Sequence, residues 1–206
     1  MSDTLRILQR AAPVMPVAHF RSLAHAQSCA ELFAEAKVPT IEVTLRHPDA
    51  WQMVKLFKDL VPFAKVGVGT VVNRRQMLRA ADEADFVISP GFSAELSILA
   101  RKTLTPYIPG IATASELMAA MNEEHRVFKF FPAETTGGIA LLKALSGPFP
   151  DAMFCPTGGI SKANYKDYLA LESVACVGGS WIVPTEGELK TDREGFLTML
   201  KTLYAA

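Results

Sequence analysis

A lysine sits in the middle of an apolar run, Val127-Phe128-Lys129-Phe130-Phe131, which Pro132 stops. The run has the length and aromatic content of a buried strand. Alternation puts Lys129 on one face with Val127 and Phe131, and Phe128 and Phe130 on the other, so neither face is wet. An unpaired ammonium in such surroundings costs on the order of several kcal/mol or gives up its proton. The neutral amine then attacks a carbonyl and forms a Schiff base. A plainer reading packs the lysine stem and sends its head to water at a strand end. Taken alone, the run allows both.

A second stretch, Thr40-Ile41-Glu42-Val43-Thr44-Leu45-Arg46, sets Ile41, Val43 and Leu45 on one face and Glu42, Thr44 and Arg46 on the other. If the polar face shares an interior with Lys129, Glu42 supplies the general acid/base that imine chemistry needs. Arg46 can fork onto a substrate carboxylate. The alternative is a buried charge network that only fills space. In Gly67-Val68-Gly69-Thr70, Gly69 lets a substrate approach the backbone and Thr70 donates a hydrogen bond, or the glycines simply relieve crowding. Thr157-Gly158-Gly159-Ile160-Ser161 and Gly178-Gly179-Ser180-Trp181 are turns whose backbone N–H groups suit an anion, with Ser180 adding a hydroxyl. One Gly-Gly pair is as readily a plain turn; two at consecutive loops favour an anion site. Thr135-Thr136-Gly137-Gly138 fits phosphate contact or an ordinary helix start equally.

Positioning these groups requires an alternation of strands and helices. Short apolar runs predict strands at 14–18, 40–45, 64–70, 85–89, 105–108, 127–131, 153–156 and 173–177. Amphipathic stretches predict helices at 22–37, 49–60, 73–82, 93–102, 113–121, 138–145, 161–169 and 192–204, with Ser22 and Asn73 as N-caps and Thr113 with Glu116 in capping-box register. Eight such units with right-handed crossovers predict one small (β/α)8 barrel domain spanning residues 1–206. The first strand–helix turn lacks the G-x-G-x-x-G of the open doubly wound alternative. In a barrel the chemistry lies at the carboxyl ends of the strands. Those ends collect Glu42, Thr44, Arg46, Thr70, Pro90, Lys129 and the glycine-rich turns.

Lys+Arg and Asp+Glu both number 21, so no charge footprint marks nucleic acid or an anionic membrane as a partner. No apolar window approaches the ~18 residues of a membrane span. Pro13 and Pro16 interrupt the opening segment, which is not read as a secretory signal. Cys29, Cys155 and Cys176 lack CxxC spacing and read as buried thiols of a reducing, cytoplasmic compartment. The four histidines show no ligand spacing, so no metal and no cofactor is expected.

The stretches Glu42-Val43-Thr44-Leu45-Arg46, Gly67-x-Gly69-Thr70, Ile88-Ser89-Pro90-Gly91, Phe128-Lys129-Phe130-Phe131-Pro132-Ala133-Glu134, Phe154-Cys155-Pro156-Thr157-Gly158-Gly159-Ile160 and Gly178-Gly179-Ser180-Trp181 resemble, in order, the 2-keto-3-deoxy-6-phosphogluconate (KDPG) and 4-hydroxy-2-oxoglutarate (KHG) aldolases. The resemblance runs from about residue 13 to 184. It implies a homotrimer of (β/α)8 barrels and class I, metal-free chemistry. Lys129 would be the Schiff-base lysine and Glu42 the proton shuttle. Arg46 and Thr70 would hold the substrate carboxylate, and Pro90 and Phe131 would line the pocket. Thr157, Gly158, Gly159, Gly179 and Ser180 would carry the phosphate. His47 and Thr135-Thr136 depart from the expected pattern and bear on sugar selectivity. The implied reaction splits the phosphorylated sugar acid into pyruvate and glyceraldehyde 3-phosphate, with 4-hydroxy-2-oxoglutarate or the phosphogalactonate epimer as related substrates. A metal-dependent aldolase or decarboxylase and a non-catalytic sugar-phosphate-binding barrel are the competing readings.

Overall fold

A computed structural model describes residues 2–205. Its strands are β1 (Val14–Ala18), β2 (Thr40–Thr44), β3 (Lys65–Gly69), β4 (Phe86–Ile88), β5 (Tyr107–Ile108), β6 (Gly110–Ile111), β7 (Val127–Phe130), β8 (Met153–Pro156) and β9 (Val177–Gly179). The helices are α1 (Asp3–Ala11), α2 (Leu23–Ala36), α3 (Ala50–Leu60), α4 (Arg74–Glu83), α5 (Ala94–Thr103), α6 (Ala114–Asn122), α7 (Ala133–Thr136), α8 (Gly138–Ser146), α9 (Tyr165–Leu169), α10 (Glu186–Thr191) and α11 (Arg193–Leu203). None of them is long and apolar enough to cross a membrane.

The fold is α/β on parallel strands, paired in the order β5-β4-β3-β2-β1-β9 and, separately, β6-β7-β8. The expected strand at 105–108 is two short pieces around Pro109. That residue has no N–H to give, but its carbonyl accepts the Lys129 N–H at 2.9 Å. β8 and β9 are joined by isolated bridges, Phe154 with Val174 and Thr157 with Gly178. The strand expected at 173–177 is displaced to Val177–Gly179 because the chain first turns on Phe154, whose N–H donates to the Ser173 carbonyl at 2.7 Å. Pairing with β1 begins only at Val177, opposite Val14.

Helix starts follow their caps. Ser22, Asn73 and Ser93 each accept a backbone N–H three residues on, and the Thr113–Glu116 capping box is complete. Helix α9 starts at Tyr165 rather than 161 because Asn164 Oδ1 takes the Ser161 N–H at 2.8 Å, a local turn that competes with the helix. Helix α10, with its own Thr185–Glu188 capping box, precedes α11.

Apolar packing falls into two layers. Ile41, Val43, Val66 and Val68 point outward into a cluster that includes Phe33 and Phe57 from the helices. A second cluster forms a floor, where Ile7, Leu8 and Ala11 of α1 meet Met15, Phe86, Ile88, Ile108 and Val127. Helix α1 was not expected from the sequence. Ser2 caps it by accepting the Leu5 N–H, and Asp3 and Arg10 complement its dipole. Its three buried residues fall on one face of a helix.

Candidate active site

Lys129 reaches between the two sets of strands to Glu42. Its Nζ donates to Oε1 at 3.0 Å and lies 3.4 Å from Oε2. The side chains are 6% and 2% exposed, so the alternative of a packed stem with a wet head does not hold. The nitrogen also lies 5.2 Å from the centroid of the Phe131 ring. A primary amine and a carboxylate at this separation, shielded from water, can pass a proton between them and leave a nucleophile behind.

Gly69 explains how the carboxylate fits. A Cβ at this position would lie 1.9 Å from Glu42 Oε1. The glycine therefore relieves crowding, one of the two readings of the sequence, and the group it makes room for is the acid. Gly69→Ala should displace Glu42 from Lys129 and lower turnover by about 100-fold, the usual cost of an ångström-scale misplacement. Steady-state kinetics with the circular dichroism spectrum as folding control would check it; unchanged turnover would show that the seat of Glu42 is unimportant.

Arg46 follows β2 in a turn, and its Nε donates to Thr70 Oγ1 at 3.3 Å. Thr70 holds a left-handed backbone, φ 63°, directly after β3. Thr44 is not free for a ligand, since its hydroxyl donates to the Ala18 carbonyl at 2.8 Å and ties β1 to β2.

One cavity of about 270 Å3 brings Lys129, Arg46, Phe131, Gly158, Gly159 and Ser180 together. Thr157 is on its wall too, but its hydroxyl donates to the Cys155 carbonyl at 3.3 Å. Gly158 and Gly159 adopt φ 99° and 78°, a left-handed pair that only glycine adopts freely. Their carbonyls accept from the Glu134 N–H and the Asn164 side chain, while neither N–H donates to a backbone carbonyl among the described residues. Such a pair of open amides suits an anion. Glu42 reaches the cavity through its contact with Lys129 and Thr70 through its contact with Arg46, while Pro90 is not among the lining residues. Gly179 is also outside it; a Cβ there would meet Trp181 Nε1 at 2.7 Å and Val14 at 3.0 Å.

The departures from the family pattern have local roles. His47 Nδ1 accepts the Asp49 N–H at 3.1 Å, and the Thr136 hydroxyl donates to the Pro132 carbonyl at 2.9 Å. Neither they nor Thr135 line the cavity. Cys155 and Cys176 are buried with their sulfurs 3.6 Å apart. That contact, together with burial, pushes the Cys176 thiol up. His19, which sequence reasoning set aside, lies on the cavity wall. The signal was available, because His19 is the first residue past the carboxyl end of β1.

Solved structures of the same shape define the class, which is the aldolases, carbon–carbon lyases. One is the KDPG aldolase of Legionella pneumophila with pyruvate captured at low pH as a covalent carbinolamine intermediate. It superposes with a TM-score of 0.90 at 42% identity, covering 98% of each chain. The KHG/KDPG aldolase of Escherichia coli K12 is 47% identical over 84% of this chain and 82% of its own length. The 2-dehydro-3-deoxy-phosphogluconate aldolase of Dickeya dadantii is 49% identical over 85% and 83%. The KDPG and KHG aldolase family model matches residues 6–195, and the chain belongs to that family.

Proposed function

We propose that this chain is a class I aldolase that reversibly cleaves KDPG to pyruvate and glyceraldehyde 3-phosphate, and also cleaves 4-hydroxy-2-oxoglutarate to pyruvate and glyoxylate. The desolvated Lys129–Glu42 contact carries the reading. Lys129 Nζ attacks the C2 ketone; the carbinolamine loses water and becomes an iminium, which serves as the electron sink. Glu42, directly or through water, takes the proton of the C4 hydroxyl as the C3–C4 bond breaks. The electron pair of that bond forms the enamine, which is protonated at C3, and water then hydrolyses the pyruvate imine to restore the amine. Arg46 and Thr70 hold the carboxylate; Gly158, Gly159 and Ser180 receive the phosphate, with Thr157 and Gly179 shaping the corner and Pro90 and Phe131 flanking the reacting carbons.

The same reading makes residues 1–206 one closed (β/α)8 barrel in the cytoplasm. The Pro109–Lys129 hydrogen bond and the Thr157–Gly178 bridge support closure. It also makes the protein a homotrimer. Val72, Ile98, Leu104 and Met118 are exposed on or beside α4, α5 and α6, which is apolar area that association would cover. Light scattering at micromolar concentration should give the trimer mass; a fully active monomer would refute the assembly.

The chemistry is tested by incubation with pyruvate and borohydride, followed by peptide mapping. Reduction should fix the three-carbon adduct on Lys129. Label on surface lysines alone would sink the mechanism.

A further inference from the structure

We propose that His19 reads the phosphate end of the substrate and takes up a proton when that dianion enters the cavity. The inference rests on the anion corner proposed above and adds to it a residue and a linked protonation. In the ladder β1 lies between β2 and β9, so the residue that follows β1 stands between the groups that follow its neighbours. Those are Arg46 on one side and Ser180 on the other, and all three line the same cavity. The loop is fixed in that place. The Arg21 N–H donates to His25 Nδ1 at 3.4 Å, and His25 Nε2 pairs with the Pro184 carbonyl at 2.8 Å, just beyond Ser180.

The charges that act on the ring are cationic, and the carboxylate of the turn after β2, Asp49, lies 3.8 Å from His47. Arg21 comes from its own loop, Arg46 and His47 from the turn after β2, and Lys129, already paired with Glu42, from β7. The cavity residues supplied by β8, β9 and the segments after them, among them Thr157, Gly159 and Ser180, carry no charge. Burial, then Arg46, His47 and Arg21, hold the imidazole below its ordinary value of 6.5. The empty site therefore favours a neutral ring amid cations. A phosphate seated against Gly158, Gly159 and Ser180 reverses the local field and favours the imidazolium, which then donates to a phosphate oxygen.

The linkage has a definite sign. Below the depressed free value His19 is charged with or without ligand, and above the raised bound value it is neutral in both. Between them binding consumes a proton, so affinity for the anion falls as pH rises. Sulfate is the suitable probe, because it keeps both charges across the neutral range whereas phosphate titrates there.

The experiment measures the sulfate inhibition constant against cleavage activity as a function of pH, in the wild type, His19→Asn and Ser180→Asp. Proton uptake on sulfate binding is measured by calorimetry in buffers of different ionisation enthalpy. Wild-type sulfate affinity should weaken by up to about tenfold per pH unit in the window that opens below 6.5. His19→Asn, folded by circular dichroism, should show a flat profile and no proton uptake. A flat wild-type profile, or a slope that persists in His19→Asn, overturns the role of His19 while sulfate binding lost in Ser180→Asp keeps the anion corner. Sulfate inhibition that is absent, or unaffected by Ser180→Asp, overturns the corner itself and His19 with it.

Discussion

Lys129→Met is expected to abolish both reductive trapping of pyruvate and cleavage of the phosphorylated sugar acid, with turnover falling by at least about 10,000-fold. Methionine keeps the length of the side chain and removes the nucleophile. It also leaves Glu42 buried without its partner, and breaking a buried pair from one side costs about 3–5 kcal/mol. A dead but unfolded variant would prove little, so the informative protein is the double variant Glu42→Gln, Lys129→Met. Removing both charges should recover most of the thermal stability and none of the activity. Calorimetry and single-turnover kinetics on the same samples separate the two effects. A metal-dependent aldolase would instead tolerate Lys129→Met and lose activity to a chelator, and that pair of results would overturn the imine mechanism.

Ser180→Asp is expected to separate the two ends of the substrate. The new carboxylate stands where the phosphate is proposed to sit, on the same cavity wall as Gly158 and Gly159. Cleavage of the phosphorylated sugar acid should fall by ~100-fold, equivalent to ~2.7 kcal/mol of lost transition-state binding. Trapping of pyruvate, whose three carbons remain near Lys129 and Arg46, should fall far less, as should cleavage of 4-hydroxy-2-oxoglutarate. Equal losses in all three assays would make Ser180 a structural residue. No loss in any would move the phosphate elsewhere.

The separation between legible and illegible features follows sequence distance. Lys129 and Glu42 stood out because a charge inside an apolar alternation is a local anomaly, visible in a window of a few residues. Their mutual contact spans 87 positions, and no periodicity reports it directly. Caps at Ser22, Asn73 and Thr113 were legible for the same local reason. What escaped were features decided by partners remote in sequence. Gly69 is fixed by a side chain from another strand, and β9 starts late because Phe154 holds the approaching chain. The Thr157 hydroxyl has a backbone acceptor in the Cys155 carbonyl, a local bond that the spacing of the turn does not announce. Helix α1 is a different kind of miss. Its apolar residues Ile7, Leu8 and Ala11 have helical spacing, but no strand precedes the segment to mark it as part of a strand–helix unit.

Ile7, Leu8 and Ala11 of α1 share one buried cluster with Cys155, Cys176 and Ile88. Lys129, paired with the buried Glu42, stands on the wall of the cavity that also presents Ser180 and Gly159. In the proposed imine mechanism the covalent bond orders the traffic: the aldehyde departs while pyruvate is still bonded to Lys129, and in synthesis pyruvate must load before the aldehyde arrives.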